Sequence, residues 1–499
     1  MVGLKRGGIV NAPRADVTPR LDAVGGPPVN VPGWRGPAEG PEAGASRTSA
    51  AGLVEKHPLA TRQRAPFGRG ASFVSASVRA FRSERCTALD PLQVFAAAGT
   101  APRFYWEQPS EGRFCVGIGC AARISVHGAD RFEQAEAAAH DVFRSMTWEG
   151  TGPRLGHLVG GFAFAPGNGA SGVWRGFPDG ELRLPELVYW REGDRYVRDA
   201  SIGSRWAGLQ PRPLALGQPV RGPAEIGNGG PDAYVERVQR ALDCIRAGEF
   251  DKVVIARAVH VTSRSPIDTV AWLVALRERF PSCTLFAVGE GDAVFLGASP
   301  ERLVRVRGET VETVALAGTA PRGASAAADR ALGEALCDSR KNGHEHAIVV
   351  QHLQSVLGAC CDGLEVAAEP KLLRTRTVQH LCTELRARRR AAAPVSLLEL
   401  AARLHPTPAV GGAPREAALR WLAAHESVER GWFAGPVGFL QSNGDGEFDV
   451  ALRSALVRGR SATAWAGAGI VARSEPRAEF TETELKLRTV LGPLLWGAP

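Results

Sequence analysis

Several charged residues stand where plain solvation does not readily account for them. Glu345 lies four residues before Val349 in the apolar series Val349, Leu353, Val356 and Leu357, so on a helix it falls on the inward stripe. A carboxylate there must sit at a helix start, be paired, or bind a cation; a first-turn glutamate favouring the helix dipole is the competing account. Glu479, Glu482 and Lys486 recur at i, i+3 and i+7, on one helix face. Such a face suits a hard-cation site built from oxygen donors, and equally a surface ion-pair ladder. Arg453 shares a strand face with Ala451 and Ala455, small neighbours that leave a guanidinium room to grip a carboxylate through two bonds; a solvent-facing arginine is the alternative. Gly467-Ala468-Gly469 would let a ligand approach backbone N–H groups closely. Lys252 and Glu301, taken singly, read as a strand-edge lysine and a turn glutamate, the latter following Ser299-Pro300 at the mouth of a hairpin. His344-Glu345-His346 is not a zinc pair, because helical positions two apart diverge by about 200°.

The elements that must position these groups follow from periodicity and turn chemistry. A helix is expected over Asp232–Ala247, with Gly248 at its C-terminal end, and further helices over Ser339–Leu357 and Thr481–Leu491. Strands are expected at Lys252–Val261, Val294–Leu296 and Leu303–Val306, the last turning through Arg307-Gly308-Glu309 into Thr310–Val314. Gly435–Leu440, Glu447–Val457 and Ala464–Val471 read as a meander, its first turn marked by Ser442-Asn443-Gly444-Asp445-Gly446. Nearer the N-terminus, Arg113–Gly119 and Ala122–Val126 read as a glycine-bearing hairpin. Gly117, Gly119 and Ala122 match a dinucleotide fingerprint, but a strand follows where that site needs a helix. Gly160–Phe164 and Leu187–Trp190 are further strands, and Arg212–Pro231 is a weak linker. Antiparallel strands with interspersed helices and no βαβ alternation indicate an α+β chain.

Composition narrows the class. Hydrophobic residues make up 44% and charged residues 22% of the 499 residues, which excludes a wholly disordered chain. No run approaches the roughly 18 apolar residues of a membrane span, so no membrane partner is expected. Nine cysteines without paired CxxC spacing argue for reduced thiols in the cytoplasm. Residues 1–70 hold 12 Gly and 9 Pro without hydrophobic periodicity, which reads as a disordered arm ending near residue 72. That arm carries 10 basic and 5 acidic residues, so it accounts for most of the formal +8. Arg386–Arg390 is a basic cluster with no interleaved aromatic, so a nucleic-acid partner is not expected.

Eight segments in order carry a family resemblance: Phe250-Asp251-Lys252-Val253-Val254-Ile255-Ala256-Arg257, Ser299-Pro300-Glu301-Arg302-Leu303, Leu316-Ala317-Gly318-Thr319-Ala320-Pro321-Arg322-Gly323, Glu345-His346, His380-Leu381, His405-Pro406-Thr407-Pro408-Ala409, Gly467-Ala468-Gly469-Ile470-Val471 and Glu479…Glu482-Thr483…Lys486. Together they resemble the chorismate-utilising enzymes: isochorismate, salicylate and anthranilate synthases and aminodeoxychorismate synthase component I. The resemblance is dense over 232–495 and thinner over 73–231. It implies one large unit of two stacked antiparallel β-sheets with outer helices, a β-rich part over 73–231 and a catalytic core over 232–497, and a monomer or weak homodimer.

Two positions separate chemistries within the family. Lys252 resembles the base of members that add water at C2 of chorismate, where anthranilate synthases tend to have Gln. The string Ala315-Leu316-Ala317-Gly318-Thr319 lacks the lysine nucleophile of aminodeoxychorismate synthases. His405–Gly412 and Glu429–Gly435 are most similar to isochorismate synthases. The implied roles are Lys252 as base and Glu301 as acid toward the C4 hydroxyl, with Mg²⁺ on Glu345 and Glu482 and Glu479 assisting through water. The resemblance further places Arg453 and Gly469 on the enolpyruvyl carboxylate, Lys486 near the metal, and Gly318, Thr319, His380 and Thr407 beside the substrate. Many relatives carry Tyr where Phe433 stands, which removes one expected hydroxyl contact. Salicylate synthesis is the competing outcome, and anthranilate synthesis a more distant one.

Overall fold

The structure is a computed structural model that describes residues 72–73, 79–167, 172–214, 224–228 and 230–495. The expected arm lies outside these residues except at its edge, where Ser72–Phe73 pair with Ile124–Ser125. Among the described residues, eleven strands form one sheet and thirteen a second. Their pairing is antiparallel except where Arg79–Arg85 runs parallel to Met146–Gly150.

The two sheets face each other through large side chains. Trp106 meets Phe439 of the other sheet edge-on, with ring centroids 5.1 Å apart. His157 lies 5.1 Å from Trp190 across the same interface. Because this interface covers inner faces and helices cover much of the outer ones, strands such as Arg113–Ile118 are buried along their whole length. The Pro476–Leu495 helix packs on Ser461–Ile470, and Arg340–Cys360 packs on Thr310–Pro321 and Val378–Arg389.

The expected helices form at Pro231–Arg246, Arg340–Cys360 and Pro476–Leu495. The first gives way to Gly248 at φ +76°. The second starts at Ser339, whose hydroxyl accepts the Asn342 N–H at 3.3 Å.

Three expectations about connection need correction, and they share one cause. Arg113–Ile118 and Ala122–Val126 are not a hairpin: the first pairs within the thirteen-stranded sheet and the second within the eleven-stranded one. Glu447–Val457 is not one strand but two, Gly446–Val450 and Ser454–Arg458, again in different sheets. Arg453 stands at that break with φ +49°, so it does not share a strand face with Ala451 and Ala455. Ala293–Ser299 and Arg302–Arg307 likewise belong to different sheets, which puts Pro300 and Glu301 at a crossing rather than at a hairpin mouth. Alternating hydrophobicity states which face of a strand is buried but not which neighbour it pairs with. The presumed linker also contains a strand, Ala224–Asn228, paired with Val259–Ser263.

Candidate active site

Two of these crossings deliver functional side chains to one place. At Pro300-Glu301 the Glu301 N–H donates to Ser299 Oγ at 3.2 Å, and the Glu301 carbonyl accepts from Val450 N–H at 3.0 Å. The second crossing, at Ala451–Arg453, is thereby tied to the first. Between them lies a cavity of about 400 Å³, open solvent at its mouth included, lined by Glu301, Gly318, Thr319, Glu345, His380, Arg453, Gly467, Gly469 and Lys486 among others.

Lys252 opens the Lys252–Ser263 strand and is wholly buried. Its backbone is paired with Ala413. Its Nζ lies 3.0 Å from Glu345 Oε1, but without hydrogen-bond geometry to any described residue. Gly469 makes that approach possible: a Cβ there would stand 2.3 Å from Glu345 Oε1 and 3.0 Å from Lys252 Cε. Glu301 is 3% exposed, and burial pushes its pKa up to about 8 despite the opposing charges of Lys252, Arg453 and Lys486. It is therefore a carboxylic acid at neutral pH, able to give a proton.

Arg453 donates from Nη2 to His380 Nε2 at 3.2 Å. On its other side, His380 Nδ1 lies 3.1 Å from the Gly318 carbonyl and 3.1 Å from Thr319 Oγ1. A guanidinium can only donate and a carbonyl can only accept, so the imidazole is neutral with its proton on Nδ1. Burial, then the charges of Arg453 and Lys486, hold its pKa down at about 3. Gly318 supplies the geometry: the strand pairing slips between Ala317 and Thr319, and Gly318 has φ +75° with Asn342 closing in behind it.

Each of the three expected metal ligands is paired with a lysine. Among the described residues no three His, Cys, Asp or Glu side chains are drawn together tightly enough to hold an ion as they stand. Glu345 faces Lys252, Glu482 accepts from Lys486 at 2.6 Å, and Glu479 accepts from Lys341 at 2.7 Å. The chemistry of the set nevertheless fits a hard divalent cation. Burial, then the Glu482 charge, raises the Glu479 pKa, whereas Lys486 and Lys341 outweigh burial and hold Glu482 low. Burial lowers the Lys341 pKa, but Glu479, Glu345 and Glu482 together raise it, so one ammonium senses all three carboxylates.

Some expected residues stand apart. Thr407 is buried, but its Oγ1 accepts Ala409 N–H at 3.3 Å, and from this segment it is Ala409 that lines the cavity. Phe433 stacks on Trp465 at 6.1 Å and is absent from the lining. Lys341 and Asn342 escaped the sequence reading. Lys341 lies four residues before Glu345 on the same helical stripe, a spacing that could have marked it. A larger cleft, about 1590 Å³ on the same measure, begins beyond Pro300. Its guanidiniums are already engaged: Arg302 with Glu447 at 2.7 Å, Arg305 with Glu447 at 2.6 Å, and Arg386 with Glu312 at 2.8 Å. It is the smaller cavity that gathers most of the residues expected of the site.

A buried acid, a buried lysine and a buried guanidinium around a small cavity define an enzyme for a small anionic substrate. The chain belongs to the family of chorismate binding enzymes, which it matches over residues 74–204 and 220–495. It is 41% identical over 421 residues to the salicylate biosynthesis isochorismate synthase of Pseudomonas aeruginosa, spanning 80% of this chain and 86% of that protein. To the isochorismate synthase MenF of Bacillus subtilis it is 32% identical over 443 residues, or 83% and 92% of the two chains. The structure of MenF from Escherichia coli, the menaquinone-specific isochorismate synthase, superposes with a TM-score of 0.69 at 29% identity, covering 84% of this chain and 95% of that one. No helix among the described residues is long and apolar enough to cross a membrane.

Proposed function

We infer that the protein is an isochorismate synthase, which isomerises chorismate by adding water at C2 and expelling the C4 hydroxyl. The observation that carries this reading is the pairing of opposite proton roles in one buried site. Lys252 Nζ is enclosed without a hydrogen-bond partner among the described residues, and Glu301 is a carboxyl kept protonated up to about pH 8.

Lys252 accepts a proton from the attacking water as the C2–O bond forms. Glu301 gives its proton to the C4 oxygen as the C4–O bond breaks, so a water enters and a water leaves. Arg453, aligned by His380, holds the enolpyruvyl carboxylate together with the Gly469 N–H. Glu345 and Glu482 would hold Mg²⁺, with Glu479 assisting through water, and the ion when bound would neutralise the ring carboxylate and withdraw electrons from the ring. Gly318 and Thr319 line the same cavity and meet His380 at Nδ1, the nitrogen that does not face Arg453. Relatives named for menaquinone and for salicylate biosynthesis are both isochorismate synthases, so this one reaction is common to both.

The test is incubation of purified protein with chorismate and Mg²⁺, followed by chromatographic separation of the products. Isochorismate is expected. Accumulation of salicylate would instead assign the rival salicylate synthase chemistry, and ammonia-dependent anthranilate would overturn the role given to Lys252.

A further inference from the structure

The three carboxylates and three lysines of this site are matched one to one, but the lysines are not equivalent. Lys252 is wholly buried. Lys486 is held twice, by Glu482 at 2.6 Å and by the Gly467 carbonyl at 2.8 Å. Lys341 lies in the first turn of Arg340–Cys360 and makes one hydrogen bond among the described residues, to Glu479 Oε1 at 2.7 Å. Its side chain is 23% exposed, whereas that of Glu479 is 2% exposed. The lysine therefore has a path to solvent, and the carboxylate does not.

We propose that Lys341 is an exchangeable counter-cation: its ammonium holds Glu479 in the metal-free protein and swings out to solvent when a divalent cation takes its place. The proposal rests on the metal site inferred above. The physical need for it is the cost of a buried, unpaired carboxylate. Glu479 and Glu482 sit one helical turn apart and repel each other; without a cation between the helices one of them would have to take up a proton or move. A long, flexible, strongly hydrated ammonium suits this duty, since it can leave without itself becoming a buried charge. Removing it leaves the metal no competitor, while the metal-free protein loses its neutralising partner. A lysine serving only to stabilise the fold would have the second effect without the first.

The test measures metal binding and metal-free stability, neither of which depends on turnover. Mn²⁺ is titrated into substrate-free protein and followed by its EPR signal, and unfolding midpoints are recorded in chelator. Lys341→Met and Lys341→Gln should both bind Mn²⁺ about tenfold more tightly than the parent and unfold at lower temperature without metal. In a Glu479→Gln background, removing Lys341 should no longer lower the midpoint. Equal or weaker Mn²⁺ binding by both Lys341 variants, with the parent still binding, would overturn the proposal and leave the metal site standing. If parent and variants alike bind no Mn²⁺ at millimolar concentration, the proposal fails together with the metal site.

Discussion

The guanidinium of Arg453 and the imidazole of His380 form a donor–acceptor pair at 3.2 Å in which the histidine can only be neutral. His380 is therefore a positioning residue for Arg453 rather than a proton carrier. His380→Phe should leave a buried guanidinium N–H unpaired, at a cost of about 1–3 kcal/mol, hence roughly 5–150-fold in kcat/KM. With Arg453 on the enolpyruvyl carboxylate as proposed, a part of the substrate that does not react, most of the loss should appear in KM. His380→Gln, whose carbonyl oxygen can accept from Arg453, should recover much of it. Steady-state kinetics of the two variants decide the matter, and a loss confined to kcat would refute this role.

As the proposed acid, Glu301 should set the alkaline side of the pH profile. Its folded pKa of about 8 lies above the ordinary value of 4.5. The proton it must donate is lost as pH rises through about 8, and kcat should fall there. Stability follows the same sign: the protonated form is favoured by folding, so its contribution is complete below about 4.5 and fades as pH rises through about 8. Glu301→Gln, permanently neutral, should be inactive but increasingly more stable than the parent across that window, as read by denaturant unfolding at pH 5 and pH 9. An equal difference at both pH values would show that the carboxyl ionises normally.

Lys252→Ala should abolish water addition while chorismate binding in the presence of Mg²⁺ stays measurable by calorimetry, because Arg453, Gly469 and Lys486 are untouched. Full activity in that variant would remove Lys252 from the role of base. Loss of binding along with activity would show that the lysine holds the site together through Glu345 rather than moving a proton.

Part of the site was legible because residues break a local rule: a glutamate on an apolar stripe, two acids and a lysine on one helical face, glycines in a strand; Lys252 and Glu301 break none and stand out only through the family resemblance. What periodicity could not convey was the route of the chain. Gly446–Val450 and Ser454–Arg458 continue the same alternation, yet they belong to different sheets, and the switch depends on Arg453 adopting φ +49°, a conformation that nothing in an arginine announces. Lys341 was missed for the opposite reason. A lysine in the first turn of a helix looks solvated, and only the approach of Glu479 from a helix more than a hundred residues away gives it a partner. Thr407 is placed beside the substrate by motif alone; in the structure its hydroxyl accepts the Ala409 N–H of its own turn, and it is Ala409 that lines the cavity.

Removing Glu345 or Glu482 should abolish Mg²⁺ dependence together with activity, and the two variants should differ in stability. Glu345→Ala leaves Lys252 Nζ, wholly enclosed, with no carboxylate at 3.0 Å, whereas Glu482→Ala frees Lys486, which keeps its bond to Gly467. The first should therefore unfold at a clearly lower temperature than the second. Metal-independent turnover by either variant would contradict the site.

Gly469 tests the geometry with the smallest possible change. Gly469→Ala adds one methyl group, which would stand 2.3 Å from Glu345 Oε1 and 3.0 Å from Lys252 Cε. Both neighbours are side-chain ends, so the backbone need not break and the fold should survive with a change of only a few degrees in Tm. The contact between Lys252 and Glu345 must open, however, and each group leaves the place from which it acts. Misplacement of about 1 Å at a reacting group costs on the order of 100-fold, and kcat should fall by at least that much. Ala468, whose neighbours lie on the other face of the same strand, offers the control: Ala468→Gly should cost stability without a comparable loss in kcat. Activity within a fewfold of the parent in Gly469→Ala would mean that the close approach of Lys252 to Glu345 is not needed for turnover.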